Sequence, residues 1–185
     1  MLPKNLLLTP LIAAGLASAS ITPKSITFEL LALAPGTEVH FSGFQAATSS
    51  LVLNLEDQNA TCKTTSDNLA TFSLVGGNLF LYQSPRLLQQ LYVDRSAAGQ
   101  GQLGYTTSPN PSPARSERTG WRIELNGNVT FRGAGFIACP SAAEDGPWTL
   151  WVDVGTSQPG GGAGCLPLAA RAIITSKPNS CQYSE

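Results

Sequence analysis

The feature that most constrains this chain is alternation. From residue 25 to the end, apolar and polar residues trade places at every second position, and no window of helical length repeats with a period near 3.6. "WRIEL" puts Trp121, Ile123 and Leu125 on one face and Arg122 and Glu124 on the other. Asn126-Gly127 follows, and then "NVTFR" turns Val129 and Phe131 inward, so this stretch predicts a tight hairpin. A second hairpin is expected in "ATFSLVGGNLFLY", turning at Gly76-Gly77. Further strands are expected at 26–33, 39–45, 51–55, 90–95, 102–107, 134–139, 148–154, 166–175 and 181–183. About ten or more short strands separated by Gly, Pro, Asn and Ser predict an all-β, single-domain antiparallel β-sandwich or barrel. The turn-rich segments 108–118 and 155–165 read as loops, since strands resume directly after each. At 185 residues the chain can bury one real core and is too short for two.

One motif argues against this reading and has to be answered. Gly99-x-Gly101-x-x-Gly104 follows a strand-like run, and Glu124 lies twenty residues beyond, as in a dinucleotide-binding fingerprint. That fingerprint needs a helix opening at the glycines, because the pyrophosphate rests on its N-terminus. Here β-prone Tyr105-Thr106-Thr107 comes next, and Pro109, Pro111 and Pro113 forbid a helix. The glycines are expected to make a tight connection between "QLYVD" and "QLGYTT" instead.

The first nineteen residues read as a secretory signal, with Lys4, an apolar run through Leu16, and Ala17-Ser18-Ala19 as the cleavage site. The mature domain is then 20–185. Losing Lys4 takes the formal net charge from −1 to −2, with no basic run to hold a nucleic acid. The polar end "SKPNSCQYSE" offers no tail for a glycolipid anchor, so the expected product is soluble, extracellular and without a membrane partner. In an oxidising compartment Cys62, Cys139, Cys165 and Cys181 suggest two disulfides. Three connectivities are open. The short span between consecutive strands favours Cys165–Cys181, leaving Cys62–Cys139. Zinc is the poorer use, since there is no CxxC pair and the one histidine, His40, is remote. No metal or other cofactor is expected. Asn59-Ala60-Thr61 and Asn128-Val129-Thr130 are candidate N-glycosylation sites, and Asn179, in Asn-Ser-Cys, is a weaker one.

Chemistry is sparse. A Ser-His-Asp triad would have to use His40, which alternates with Val39 and Phe41 and should face away from what they bury. There is no Gly-x-Ser-x-Gly elbow. A glycosidase needs two converging carboxylates. Glu56-Asp57 and Glu144-Asp145 sit in turn-rich loops, and Glu29, Glu124 and Asp153 on polar strand faces. Asp94, followed by Arg95 and Ser96, is the one acid of interest, and its simpler role is to cap a turn. In "WTLWVDV", Trp148 shares a face with Leu150, Val152 and Val154, which leaves Trp151 among Thr149 and Asp153. Trp151, with Asp94 and Arg95, is the candidate carbohydrate contact, the alternative being that a loop or second sheet covers the indole.

The segments "GGNLFLY", "QQLYVDRSAAGQGQLGYTT", "GWRIELNGNVTFRGAGFIACP", "DGPWTLWVDVG" and "GCLPLAARAI" resemble the PhiA-like family of secreted fungal cell wall proteins. The resemblance spans nearly all of the mature region, with one departure at Ala97-Ala98, where a glycine is usual after the serine. It implies a wall protein linked to phialide and conidium formation, with no catalytic residues to carry over. The expectation is therefore a structural or interaction protein, not an enzyme, whose partners are wall polysaccharide or other wall proteins, acting as a monomer. The alternative is a carbohydrate-binding module or secreted effector that recognises glucan, chitin or a host ligand.

Overall fold

Strands with one apolar face need a second surface to cover it, and a sheet supplies one by closing on itself. The computed structural model, which describes residues 25–143 and 146–185, shows that solution. In chain order the strands are β1 (Ile26–Leu33), β2 (Gln45–Ala47), β3 (Ser50–Leu53), β4 (Thr61–Cys62), β5 (Thr71–Val75), β6 (Asn78–Leu81) and β7 (Gln89–Asp94). They continue as β8 (Gln102–Thr107), β9 (Trp121–Ile123), β10 (Asn128–Phe131), β11 (Phe136–Pro140), β12 (Trp148–Val152), β13 (Leu166–Ile174) and β14 (Cys181–Gln182). A single 3₁₀ turn, Pro159–Gly161, interrupts the loop before β13.

Nine of these strands form a closed barrel in the order β1–β5–β6–β7–β8–β3–β12–β11–β13, sealed where β13 returns to β1 from Phe28↔Ile174 to Leu33↔Ala169. All neighbours are antiparallel, and a ring of strictly alternating direction needs an even number of strands. The ninth is admitted by a fork in the wall. β12 pairs with β3 at Trp148↔Leu53 and Thr149↔Val52, then with β8 at Trp151↔Gln102. The other eight strands therefore close an even ring by themselves, and β3 wedges into it. β2 adds to β3, and the β9–β10 hairpin adds to β13.

The inward residues fill the barrel. Phe28, Phe44, Phe72, Tyr105, Phe131 and Phe136 are fully buried, with leucines from five strands between them. The Phe44 and Phe136 rings meet edge to face at 5.7 Å, and Trp121 lies 4.9 Å from Phe131. At one end of β7, residues 117–121 cross from β7 to its neighbour β6, pairing Glu117 with Val93 and Thr119 with Asn78. At the other end the chain terminus acts as a cork. The Gln89 side-chain amide binds the Tyr183 backbone on both sides, at 2.8 Å each, as a strand would. The Tyr183 hydroxyl accepts the Thr71 N–H at 3.1 Å, and the Tyr105 hydroxyl donates to the Ser184 carbonyl. Burial raises the Tyr183 phenol to about 12 and pushes Tyr105 up as well.

Three expectations fail in whole or in part. The strand expected at 39–45 forms only in its second part, where Gly43 bridges Leu31 of β1 and Gln45 opens β2, and residues 37–41 are a turn: Phe41 has φ +66° and is 63% exposed, while Val39 is buried. A residue in the left-handed region breaks alternation, so the two cannot share a face. Leu125 is fully exposed because β9 ends at Ile123 and the Gly127 N–H closes the turn on the Glu124 carbonyl. Glu124, one residue past β9, keeps to the polar side with Arg122 and Thr130, which both bind its carboxylate. Lastly, the disulfides are Cys62–Cys181 and Cys139–Cys165. β4 and β14 pair directly at Cys181↔Cys62, which no local spacing reveals. The signal segment and Glu144-Asp145 lie outside the described residues.

Candidate functional site

The fork positions the candidate residues. Asp94 pairs with Gln102, Gln102 with Trp151, Trp151 with Ile137, and Ile137 with Pro167. Directly opposed residues point to the same side, so these five form one row across β7, β8, β12, β11 and β13. Since Trp148, Leu150 and Val152 are buried, the row lies on the outer surface. The sequence thus placed Trp151 on the correct side.

The glycine motif explains how β8 reaches β12 so closely. Gly101, at φ +90°, accepts the Val152 N–H on its carbonyl oxygen at 2.9 Å, and a Cβ there would stand 2.0 Å from the Val152 oxygen. Only glycine permits that approach. β7 and β8 form the hairpin expected from the motif, in register from Gln89↔Thr107 to Asp94↔Gln102. Asp94 accepts the Ser96 N–H at 2.9 Å, and hydrogen bonds from Ser96 hold its carboxyl below the usual carboxylate range. It caps the turn.

A loop covers part of Trp151. Gly160, at φ +65°, lies so near the indole that a Cβ would be 2.8 Å from Cζ2. The Gly160 N–H donates to Gln100 Oε1 at 2.9 Å, which ties the 155–165 loop to the β7–β8 loop. Cys165 anchors the loop's far end to Cys139 on β11. What remains open is a cleft of about 310 Å³ between loop and sheet, lined by Ile137, Asp153, Gly155, Ser157, Cys165 and Pro167. Sequence reading missed Gln102 and Gly160; the glycine-rich run before Cys165 was the one available signal for the second.

Arg95 does not join this row. Its Nε lies 2.8 Å from Glu117 Oε1, and Arg132 Nε holds the other oxygen at 2.7 Å. Both guanidinium groups lie about 6 Å from the Phe131 ring. The hydrogen bond from Arg95 leads in holding the Glu117 carboxyl below its ordinary range. His40 sits on the 37–41 turn, where Nδ1 accepts the Ala34 N–H at 3.2 Å. Among the described residues no group of three or more His, Cys, Asp or Glu gathers as metal ligands.

The candidate glycan acceptors differ. Asn59 is exposed in a turn at φ +51°, its backbone N–H bound to Asp57 at 2.7 Å. Asn128 is on β10, where Oδ1 accepts Arg171 Nε at 3.0 Å. Asn179 spends both side-chain atoms on Thr64 and Thr65.

Comparison with known proteins now decides the family. Residues 28–184 match the family described as PhiA-like secreted protein. The chain belongs to that family. It is 43% identical to the cell wall protein phiA of Emericella nidulans, over 94% of this chain and 93% of that one. Identity to the cell wall protein phiA of Aspergillus niger is 39%, over 98% of this chain and 97% of that one. For the Aspergillus fumigatus protein of the same name it is 39% over 94% and 93%. No solved structure matches the chain. Family membership places this protein outside the cell, at the wall.

Proposed function

We propose that this protein is a non-enzymatic component of the fungal cell wall that serves phialide and conidium formation. It is held by contacts with wall polysaccharide or wall proteins, or through its own N-glycans. The observation that carries this reading is the match to named cell wall proteins along 94% or more of the chain. The engagement of the candidate catalytic groups supports it. Asp94 caps a turn, and His40 accepts a backbone N–H. Washed walls of conidiating cultures should retain the protein, and a deletion strain should form fewer phialides and conidia. Protein found solely in the medium, with normal conidiation in the deletion strain, would end the proposal.

A second reading is direct carbohydrate contact through the outer row. It is favoured by a partly exposed indole beside exposed Gln102, and by the cleft under the 155–165 loop. Trp151→Ala should then weaken retention on chitin or β-1,3-glucan while leaving the barrel folded.

A further inference from the structure

A larger cleft, of about 460 Å³, lies further along β7 and β8, under the proline loop 108–112. Its floor is a second outer row. Phe80 pairs with Gln90, and Gln90 with Thr106. Four residues along the strand separate this row from Asp94 and Gln102, or roughly 13 Å at strand rise. Arg118 reaches over the floor from the crossing segment. Its Nη1 donates to Gln90 Oε1 at 2.8 Å and its Nη2 to Thr106 Oγ1 at 2.6 Å. Ser108, Pro109, Asn110, Pro111 and Ser112 form one wall, and Leu87 and Leu88 another.

The charge of Arg118 is the unexplained feature. The ion pairs among the described residues use Arg95, Arg122 and Arg132, and none uses Arg118. Among the described residues no carboxylate lines the cleft. Glu185 touches one lining residue, Asn110, at 3.5 Å, and is otherwise bound to the Thr107 N–H. Arg118 is thus a half-buried guanidinium, fixed in place by two neutral acceptors, with donors to spare. A planar fork held in this way suits one carboxylate better than any neutral group.

We propose that this cleft binds an acidic sugar, a uronic-acid residue of a polysaccharide. Arg118 receives the carboxylate, the Phe80 ring takes the apolar face of the pyranose, and the Asn110 amide with the Ser108 and Ser112 hydroxyls binds ring hydroxyls. Two observations favour a sugar over an acidic peptide. β6, β7 and β8 are inner members of a closed barrel, so their backbones offer no free edge for strand addition. Among the described residues one cation, Arg118, lines the site, which fits one charge per repeating unit. The site differs from the Trp151 row in place and in charge, and it is tested on purified protein, so it stands or falls separately from residence in the wall.

The test is calorimetric titration of the mature glycosylated protein at low salt. The probes are oligogalacturonate, oligoglucuronate, laminari- and chito-oligosaccharides of equal length, and a Glu-rich hexapeptide. A uronic oligosaccharide should bind at least tenfold more tightly than its neutral counterparts and than the peptide. Arg118→Gln should remove that preference, and Phe80→Ala should weaken binding several-fold. Lys177→Gln, an equal charge change at an exposed position away from the cleft, should leave it intact. Should Arg118→Gln loosen the crossing segment, as read from its melting temperature, Asn110→Ala on the rim still has to lose several-fold. Equal binding of acidic and neutral sugars would overturn the proposal. So would equal binding of the peptide, no binding of any probe, or a folded Arg118→Gln variant that keeps the preference.

Discussion

The two disulfides are chemically alike and hold different things. Cys62–Cys181 closes a span of 119 residues and joins β4 to β14, where Cys181 and Tyr183 are 2% and 3% exposed and belong to the core. Cys139–Cys165 closes 26 residues and fastens a surface loop to the outer side of β11. The first corks the barrel, and the second straps down a lid over Trp151. A bond of one type can therefore govern global stability at one place and local exposure at another.

Removing each bond is the strongest way to break that comparison. Chain-entropy reasoning gives about 5 kcal/mol for the longer span and a ceiling of about 3.5 kcal/mol for the shorter. The Cys62→Ala/Cys181→Ala pair should lower the melting temperature by roughly 10–20 °C, at 2–4 °C per kcal/mol for a domain of this size. The Cys139→Ala/Cys165→Ala pair should lose less. It should be distinguished by faster proteolysis within 155–164 while the barrel remains folded. Equal melting losses with no difference in cleavage would erase the distinction between cork and strap.

Alkaline unfolding sharpens it. The Tyr183 phenol is raised from 10.0 to about 12 by burial at the corked end. A raised folded value means that stability is intact below pH 10, where both states are neutral. It is lost as pH climbs through about 12, because the unfolded chain ionises first. That rise corresponds to about 2–3 kcal/mol from this residue. Urea midpoints measured between pH 9 and 12 should fall, and Tyr183→Phe should flatten that fall at the expense of the Thr71 hydrogen bond. A midpoint that holds steady to pH 12 would show that the tail is already open.

How much of this was legible depends on how far apart the cooperating residues lie. Alternation is written in neighbouring residues, so β1 and β8 run over the expected positions and Trp148 and Trp151 take opposite sides as read. It fails where one backbone angle changes sign, as at Phe41, or where a turn begins early, as before Leu125. The cysteine pairing was beyond reach because it follows from ring closure, which brings residue 62 to residue 181. The Arg118 cleft was equally hidden. Its floor, walls and cation come from β6, β7, the proline loop and the crossing segment, and no local pattern marks their meeting.

The smallest expected effect is the most local probe of the strap. Gly160 adopts φ 65° and ψ 14°, the left-handed region, and its Cα rests against the Trp151 indole. Alanine there costs about 1–2 kcal/mol in backbone preference, and its methyl would stand within 2.9 Å of two ring carbons. The loop has to lift, although Cys165 still tethers its end to Cys139. The barrel contributes nothing to that strain, so the melting temperature should change little while acrylamide quenching rises. The signal is specific to one residue, because Trp121 and Trp148 are 2% and 7% exposed. If quenching rises and retention on glucan or chitin rises with it, the loop is a cover over a sugar-facing indole. If quenching rises and retention does not change, the indole is only the loop's anchor. A fall in melting temperature as large as that of the Cys62/Cys181 variant would make the loop part of the barrel's own cooperative unit.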